Sequence, residues 1–279
     1  DPLIQKAVAE QGYNNPTPIQ AQSIPHVLAG SDLMGAAQTG TGKTAAFVLP
    51  IIQKILRHAS NSASPARHPI RALVLTPTRE LAVQVADNAA NYSKHTDLRT
   101  AVVYGGVDMK EQVQVLRNGV EILIATPGRL LDHIGSKVAN LSQVELLVLD
   151  EADRMLDMGF LPDLQRIINL IPVQRQTLLF SATFSPEIKK LAQSYLRSPV
   201  TVEVARQNAA ADTVKQVVHM VSSMDKQRAI AKVLENRTRQ GLSRQCIIFT
   251  NSRLGCAKLA RALERDGICL LYTCPSPRD

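Results

Sequence analysis

Short apolar runs alternate with helix-period segments through residues 1–206. Leu73-Val74-Leu75 precedes the periodic stretch Glu80–Tyr92, and Thr100–Tyr104 leads through Gly105-Gly106 to Lys110–Arg117. Ile122-Leu123-Ile124 leads to Arg129–Ile134, Leu146–Leu149 to a charged turn, and Thr177–Phe180 to Pro186–Leu196. The runs are continuous rather than alternating, as strands are when helices cover both faces of their sheet. The repeated strand-then-helix order predicts an α/β fold with a doubly wound parallel sheet. Ser185-Pro186 before Glu187 marks a helix start, and Gly119 closes the helix that ends near Arg117. The Ser-, Ala-, Asn- and Pro-rich stretch Ala59–Pro69 reads as an exposed loop.

A polar, aperiodic segment at Arg206–Asp212 interrupts this pattern, which then restarts. Val217–Val221 and Cys246–Phe249 read as strands, Asp225–Leu234 and Leu254–Leu263 as helices, the latter ending at Gly267. We therefore expect a first domain over residues 1–206, a linker at 207–213, and the opening of a second α/β domain at 214–268. Two such units in so short a segment do not close a covered sheet.

Composition changes this picture little. Hydrophobic residues make up 45% and charged residues 20%, enough apolar surface for a core, which excludes a disordered chain. No long uncharged apolar run is present, so no membrane span is expected, and Asp1-Pro2-Leu3-Ile4 does not resemble a secretory leader. The start without Met implies residues missing upstream. Residues 1–212 carry 20 Lys and Arg against 19 Asp and Glu, and residues 213–279 carry 12 against 5. Of the formal charge of +8, +7 thus comes from the C-terminal part, a weak pointer to a polyanion. Cys246, Cys256, Cys269 and Cys274 form no CxxC pair and the six histidines are scattered, so neither a disulfide framework nor a zinc centre is expected, and a reducing cytoplasm fits.

Chemistry enters at two strand ends. Ala37-Gln38-Thr39-Gly40-Thr41-Gly42-Lys43-Thr44 follows the apolar segment Leu33–Ala36 and opens the helix Ala45–Leu56. Gly40 and Gly42 let the backbone turn its N–H groups inward, Lys43 reaches the β- and γ-phosphates, and the Thr44 hydroxyl ligates Mg²⁺. The general pattern has Gly where Ala37 stands. Leu146–Leu149 ends in Asp150-Glu151-Ala152-Asp153, at the strand edge where ligands of open α/β sheets collect. Asp150 is expected to hold Mg²⁺, and Glu151 to orient and deprotonate an attacking water. The Lys43 loop is expected to face the Asp150–Glu151 pair across neighbouring strand tips, making Lys43, Asp150 and Glu151 the candidate catalytic set.

Asp150-Glu151-Ala152-Asp153 is similar to the signature of the DEAD-box RNA helicases, and further motifs stand in that family's order. Gly12-Tyr13-Asn14-Asn15-Pro16-Thr17-Pro18-Ile19-Gln20 resembles its adenine-recognising Q motif. Pro77-Thr78-Arg79-Glu80-Leu81, Gly105-Gly106 and Thr126-Pro127-Gly128-Arg129 resemble its RNA-backbone motifs, and Ser181-Ala182-Thr183 the motif that couples hydrolysis to unwinding. The segment Arg154–Phe160 is most similar to the bacterial RhlE-type subgroup. The resemblance covers residues 1–268 and implies two RecA-like domains in the intact protein, with ATP and Mg²⁺ as cofactors. It implies single-stranded or short-duplex RNA as partner, with contacts to phosphate and sugar and hence little sequence preference. Gln20 then reads the adenine edge with its amide and Tyr13 packs near the base. Arg79, Thr126, Gly128 and Arg129 meet RNA phosphates, and Ser181 and Thr183 bond Asp150 or Asp153 to report the nucleotide state. A monomer is expected.

The family's second domain supplies arginines that complete the ATP site, and only its first motif, around Ile247-Ile248-Phe249-Thr250, has a counterpart here. The 279 residues alone are therefore expected to bind ATP–Mg²⁺ weakly, with inefficient hydrolysis and no unwinding. The tail Cys269–Asp279 departs from the family and is similar to a translated transposon-type sequencing adapter, so it reads as non-native sequence joined to a truncated frame. Two other readings stay open: a non-enzymatic, ATP-gated RNA clamp, and a DNA-directed motor of the same fold.

Overall fold

The computed structural model describes residues 1–38, 40–204, 217–222, 224–239 and 246–268. The chain divides into two compact units, Asp1–Ala209 and Ala210–Asp279. Thr39, the expected linker and the Cys269–Asp279 tail lie outside the described residues.

Seven strands make one sheet in the first unit: β1 (Leu33–Ala36), β2 (Ala72–Leu75), β3 (Thr100–Val103), β4 (Ile122–Ala125), β5 (Leu146–Leu149), β6 (Gln176–Ser181) and β7 (Val200–Glu203). Their spatial order is β3-β4-β2-β5-β6-β1-β7, and every pairing is parallel. Helices α1 (Pro2–Glu10) and α2 (Pro18–Leu28) precede β1. The strands are then linked by α3 (Lys43–Ile55), α4 (Arg79–Ser93), α5 (Met109–Arg117), α6 (Pro127–Gly135), α7 (Ala152–Asp157), α8 (Leu161–Ile168) and α9 (Pro186–Tyr195).

The continuous apolar runs have a direct explanation. Successive strand residues point to opposite faces, and both faces are covered. Val74, Ile124, Val148 and Leu178 pack with residues of α1 to α4, whereas Leu73, Leu123, Leu147 and Leu179 pack with residues of α5 to α9. Each strand leucine or isoleucine so buried stabilises by roughly 1.5–3 kcal/mol. Helices α3 and α4 carry the chain toward the β3 edge on one face, and α5 to α9 bring it back on the other, as a single crossover hand requires. Side-chain caps fix where helices begin: Thr78 accepts from Leu81 N, Asp108 from Lys110 N and Ser185 from Ile188 N. The covered sheet is the RecA-like arrangement expected of the first domain.

Several expectations need correction. The charged turn after β5 is helix α7, and β7 was not anticipated because Val200–Glu203 has only one fully buried side chain, Val202. The stretch 59–69 is not wholly exposed. His68 is buried, its Nδ1 2.6 Å from Glu121 Oε1 and its Nε2 2.7 Å from the Ser62 carbonyl. Local composition carries no trace of so distant a pairing.

In the second unit, α10 (Lys226–Arg239) and α11 (Arg253–Arg265) form where helices were expected, and Ser252 caps α11 through Gly255 N. Val217–Val221 and Cys246–Phe249 are not strands. A strand is defined by its ladder, and no described residue of this unit pairs with either segment; Met220 and Phe249 are 94% and 90% exposed.

Candidate functional site

Loop 37–42 leaves β1 and runs into α3, whose first turn holds Lys43 and Thr44. Gly42 has φ of 91°, and a Cβ there would meet Gln20 Nε2 at 2.6 Å and Thr17 Oγ1 at 3.0 Å. The left-handed backbone favours glycine here, and a Cβ would have to displace the Gln20 amide. Ala37, where glycine is usual, is buried and donates its N–H to the Ser181 carbonyl at 3.1 Å. Thr41 Oγ1 donates to the Gln38 carbonyl at 2.7 Å. A cleft of about 930 Å³ opens here between Thr17, Gln38, Gly40 and Thr41 on one side and Ala182, Phe184, Lys189 and Glu203 on the other.

Lys43 is only 6% exposed, and its Nζ has no hydrogen-bond partner among the described residues. A buried ammonium left without an internal acceptor is costly. It stands at the positive end of α3. Asp150, at the end of β5, is 2% exposed, and its carboxyl is pushed up to about 6. Burial is the main cause. Lys43 opposes it, Glu151 adds to it, and the Glu151 N–H opposes it by donating to Oδ1 at 3.0 Å. The Lys43 loop and Asp150 thus share one sheet edge, but not at neighbouring tips: β6 lies between β1 and β5.

Glu151 caps α7 with φ of 51°, a strained conformation for a non-glycine residue, and its carboxylate is 3.3 Å from Arg154. Asp153 Oδ2 accepts from Ala182 N, Thr183 N and Thr183 Oγ1, each at 3.2 Å. Thr183 therefore meets Asp153 as expected. Ser181 does not bond either aspartate; its hydroxyl donates to the Thr183 carbonyl at 2.8 Å.

Gln20 is already engaged. Its Oε1 accepts from Thr17 N at 3.0 Å and its Nε2 donates to the Gly42 carbonyl at 3.1 Å. An amide has two donor hydrogens and two acceptor lone pairs, so each atom keeps capacity for one more partner. Tyr13 is placed against α4, its hydroxyl 3.0 Å from that of Tyr92.

The three other motif segments leave β2, β3 and β4, which are contiguous in the order β3-β4-β2. Pro77 is buried, Thr78 caps α4, and Arg79 lies over the Tyr104 ring at 4.9 Å from its centroid. Gly105 and Gly106 are exposed, and a Cβ on either would meet nothing within 4 Å. Thr126 and Pro127 start α6, with Gly128 partly exposed behind them. Arg129 is mostly buried and donates to the Val107 carbonyl at 3.0 Å rather than projecting outward. The edge is thereby divided: β1, β6 and β5 carry the Lys43–Asp150 groups, while β2, β4 and β3 carry the segment with open glycine backbone.

A buried ammonium without a partner, backbone amides at a helix start and one buried carboxylate suit a polyphosphate with a hard divalent cation. Among the described residues, no group of three or more His, Cys, Asp or Glu could hold a metal. Mg²⁺ does not need one, since it takes one or two carboxylates plus phosphates and water. Sequence reading missed Arg154 beside Glu151, and Phe184, Lys189 and Glu203 in the cleft wall. It also missed that Thr17-Pro18-Ile19-Gln20 has the spacing of a capping box, a signal plain in the sequence. Among the described residues, no helix is long and apolar enough to cross a membrane.

Residues 17–191 match the sequence model of the DEAD/DEAH box helicases. Over 265 residues, 95% of this chain, the sequence is 43% identical to ATP-dependent RNA helicase DBP2 of Eremothecium gossypii, covering 47% of that protein. It is 40% identical over 250 residues to DEAD-box ATP-dependent RNA helicase RhpA of Helicobacter pylori, covering 90% of this chain and 48% of RhpA. It is 38% identical over 268 residues to ATP-dependent RNA helicase RhlB of Shewanella oneidensis, covering 95% of this chain and 60% of RhlB. The chain spans about half the length of DBP2 and RhpA.

Proposed function

Because the chain belongs to the DEAD/DEAH box helicase family, we propose that the complete protein is an ATP-dependent RNA helicase that grips single-stranded RNA by its backbone and locally opens short duplexes. The observation that carries this reading is the buried, unpartnered Lys43 Nζ on the same sheet edge as Asp150. Lys43 and the amides of residues 37–44 would bind the triphosphate, and Gln20 and Tyr13 would meet the base. Thr44 and Asp150 would hold Mg²⁺, which when bound neutralises phosphate charge. Glu151 would orient the attacking water and accept its proton. Asp153, through Thr183 and Ala182, would couple the nucleotide state to the β6 tip, with Ser181 acting through Thr183. Pro77, Thr78, Gly105, Gly106, Thr126 and Gly128 would line the RNA path. Arg79 and Arg129 would shape that path from their positions at Tyr104 and Val107.

The test is direct. In this 279-residue chain, Lys43→Ala should weaken Mg²⁺–ATP binding at least about tenfold, the loss of one charge-assisted contact. In the complete protein, Glu151→Gln should preserve ATP and RNA binding while stopping turnover; a variant that still cycles removes the base assignment. RNA affinity that follows the nucleotide without strand separation would favour the clamp, and indifference to the 2′-hydroxyl would favour a DNA motor. The chain alone should show little RNA-stimulated hydrolysis, since the arginines expected from the second domain are not among its residues. The RhlE-type placement rests on Arg154–Phe160. A monomeric state and a cytoplasmic location complete the proposal; light scattering tests the former and fractionation the latter.

A further inference from the structure

Gly105 and Gly106 form the barest stretch of the proposed RNA path: exposed, with Gly106 at φ of 80° and no side chain to fix it. Such a backbone needs restraint from its neighbours if it is to present a fixed surface. Both flanking carbonyls are restrained. On one side, Gln112 Nε2 donates to the Tyr104 carbonyl at 3.0 Å. On the other, Arg129 Nη2 donates to the Val107 carbonyl at 3.0 Å.

The first restraint has a second layer. His133 is fully buried, and its Nε2 is 3.1 Å from Gln112 Oε1. Since the Gln112 amide nitrogen donates to Tyr104, its oxygen is the atom left to face the imidazole, and only an Nε2–H can bond it. The His133 tautomer is thereby fixed with Nδ1 bare, and Nδ1 has no partner among the described residues. Burial, and then the nearby Arg129 charge, lower the His133 pKa and favour this neutral form. The Tyr104 ring itself lies under the Arg79 guanidinium. One chain of contacts therefore ties α4, β3, α5 and α6 together around two glycines.

Resting on the RNA reading above, we propose that Gln112 and His133 are positioning residues for RNA: the His133–Gln112–Tyr104 relay holds the Gly105-Gly106 backbone in the shape that meets a phosphodiester. Neither residue touches RNA. Both act through the Tyr104 carbonyl.

The experiment compares the 279-residue chain with its His133→Leu, Gln112→Leu and His133→Gln variants. The last restores an amide donor toward Gln112. Amide hydrogen exchange at residues 105–107 is measured first, then affinity for a fluorescent single-stranded oligouridylate at fixed salt, with Mg²⁺–ATP affinity as the control. In the leucine variants exchange at 105–107 should accelerate about tenfold, as expected for one buried hydrogen bond. RNA affinity should fall several-fold, nucleotide affinity should hold, and His133→Gln should return both affected values toward wild type. Unchanged loop exchange and RNA affinity in both leucine variants would overturn the proposal. So would loosening spread evenly across the sheet, which marks plain core packing. If neither this chain nor the complete protein binds RNA, the parent reading fails, and loop exchange still decides whether the relay holds the glycines.

Discussion

At pH 7 the ligand-free protein keeps Asp150 charged against the preference of its surroundings. The carboxyl is raised from 3.8 to about 6, chiefly by burial. The folded state therefore holds this proton to higher pH than the unfolded state does. Its contribution to stability is fully present below about pH 4 and lost as pH rises through about 6. A shift of this size corresponds to about 3 kcal/mol as an upper bound. Asp150→Asn should stabilise the ligand-free protein at pH 7 by about 2 kcal/mol and by nothing at pH 4, while removing Mg²⁺-dependent nucleotide affinity. Thermal melts of the two proteins across that range decide the matter; equal melting temperatures at pH 7 would refute it. Stability given up at this buried carboxylate is the cost expected if Asp150 holds Mg²⁺ as proposed. Asp150 was legible from the sequence because a strand ending in acids is a local pattern. The Arg154 partner of Glu151 was not, because the i,i+3 spacing of the pair has meaning only at a helix start, and the six-residue α7 reads from the chain as a charged turn.

Among the elements, α2 and α3 are joined through one side chain. Gln20 accepts from Thr17 N at the start of α2 and also donates to the carbonyl that caps α3. A base-reading role alone predicts that Gln20→Ala affects only nucleotides that carry adenine. The contact with Gly42 predicts more: the variant should also weaken binding of inorganic tripolyphosphate and lower the melting temperature by an amount worth about 1 kcal/mol. Tripolyphosphate binding equal to wild type would separate the two roles. Gly42→Ala should be worse, costing about 1–3 kcal/mol for the strained backbone, apart from the displaced Gln20. The central strands and long helices could be read from the chain because their apolar periodicity is strong. Helix α7 has only six residues, and β7 buries one residue fully, so neither imposes a period. The segments 217–221 and 246–249 carried the right composition for strands, yet a ladder needs a partner that composition does not supply.

For the molecule as a whole, the first unit has its own two-faced core, built from residues 1–204. A chain ending at residue 204 should accordingly melt within a few degrees of the full chain and retain nucleotide affinity. Loss of cooperative melting on truncation would show that the second unit contributes to the first one's stability. The placement of β6 has a mechanical consequence. Its tip stands between the loop after β1 and the acids after β5. It is gripped from both flanks: the Ser181 carbonyl holds Ala37, and Asp153 clasps the amides of Ala182 and Thr183. The β6 tip is thus hydrogen-bonded to both of its neighbours, so under the proposed function a change at the loop after β1 has a path of two contacts to Asp153.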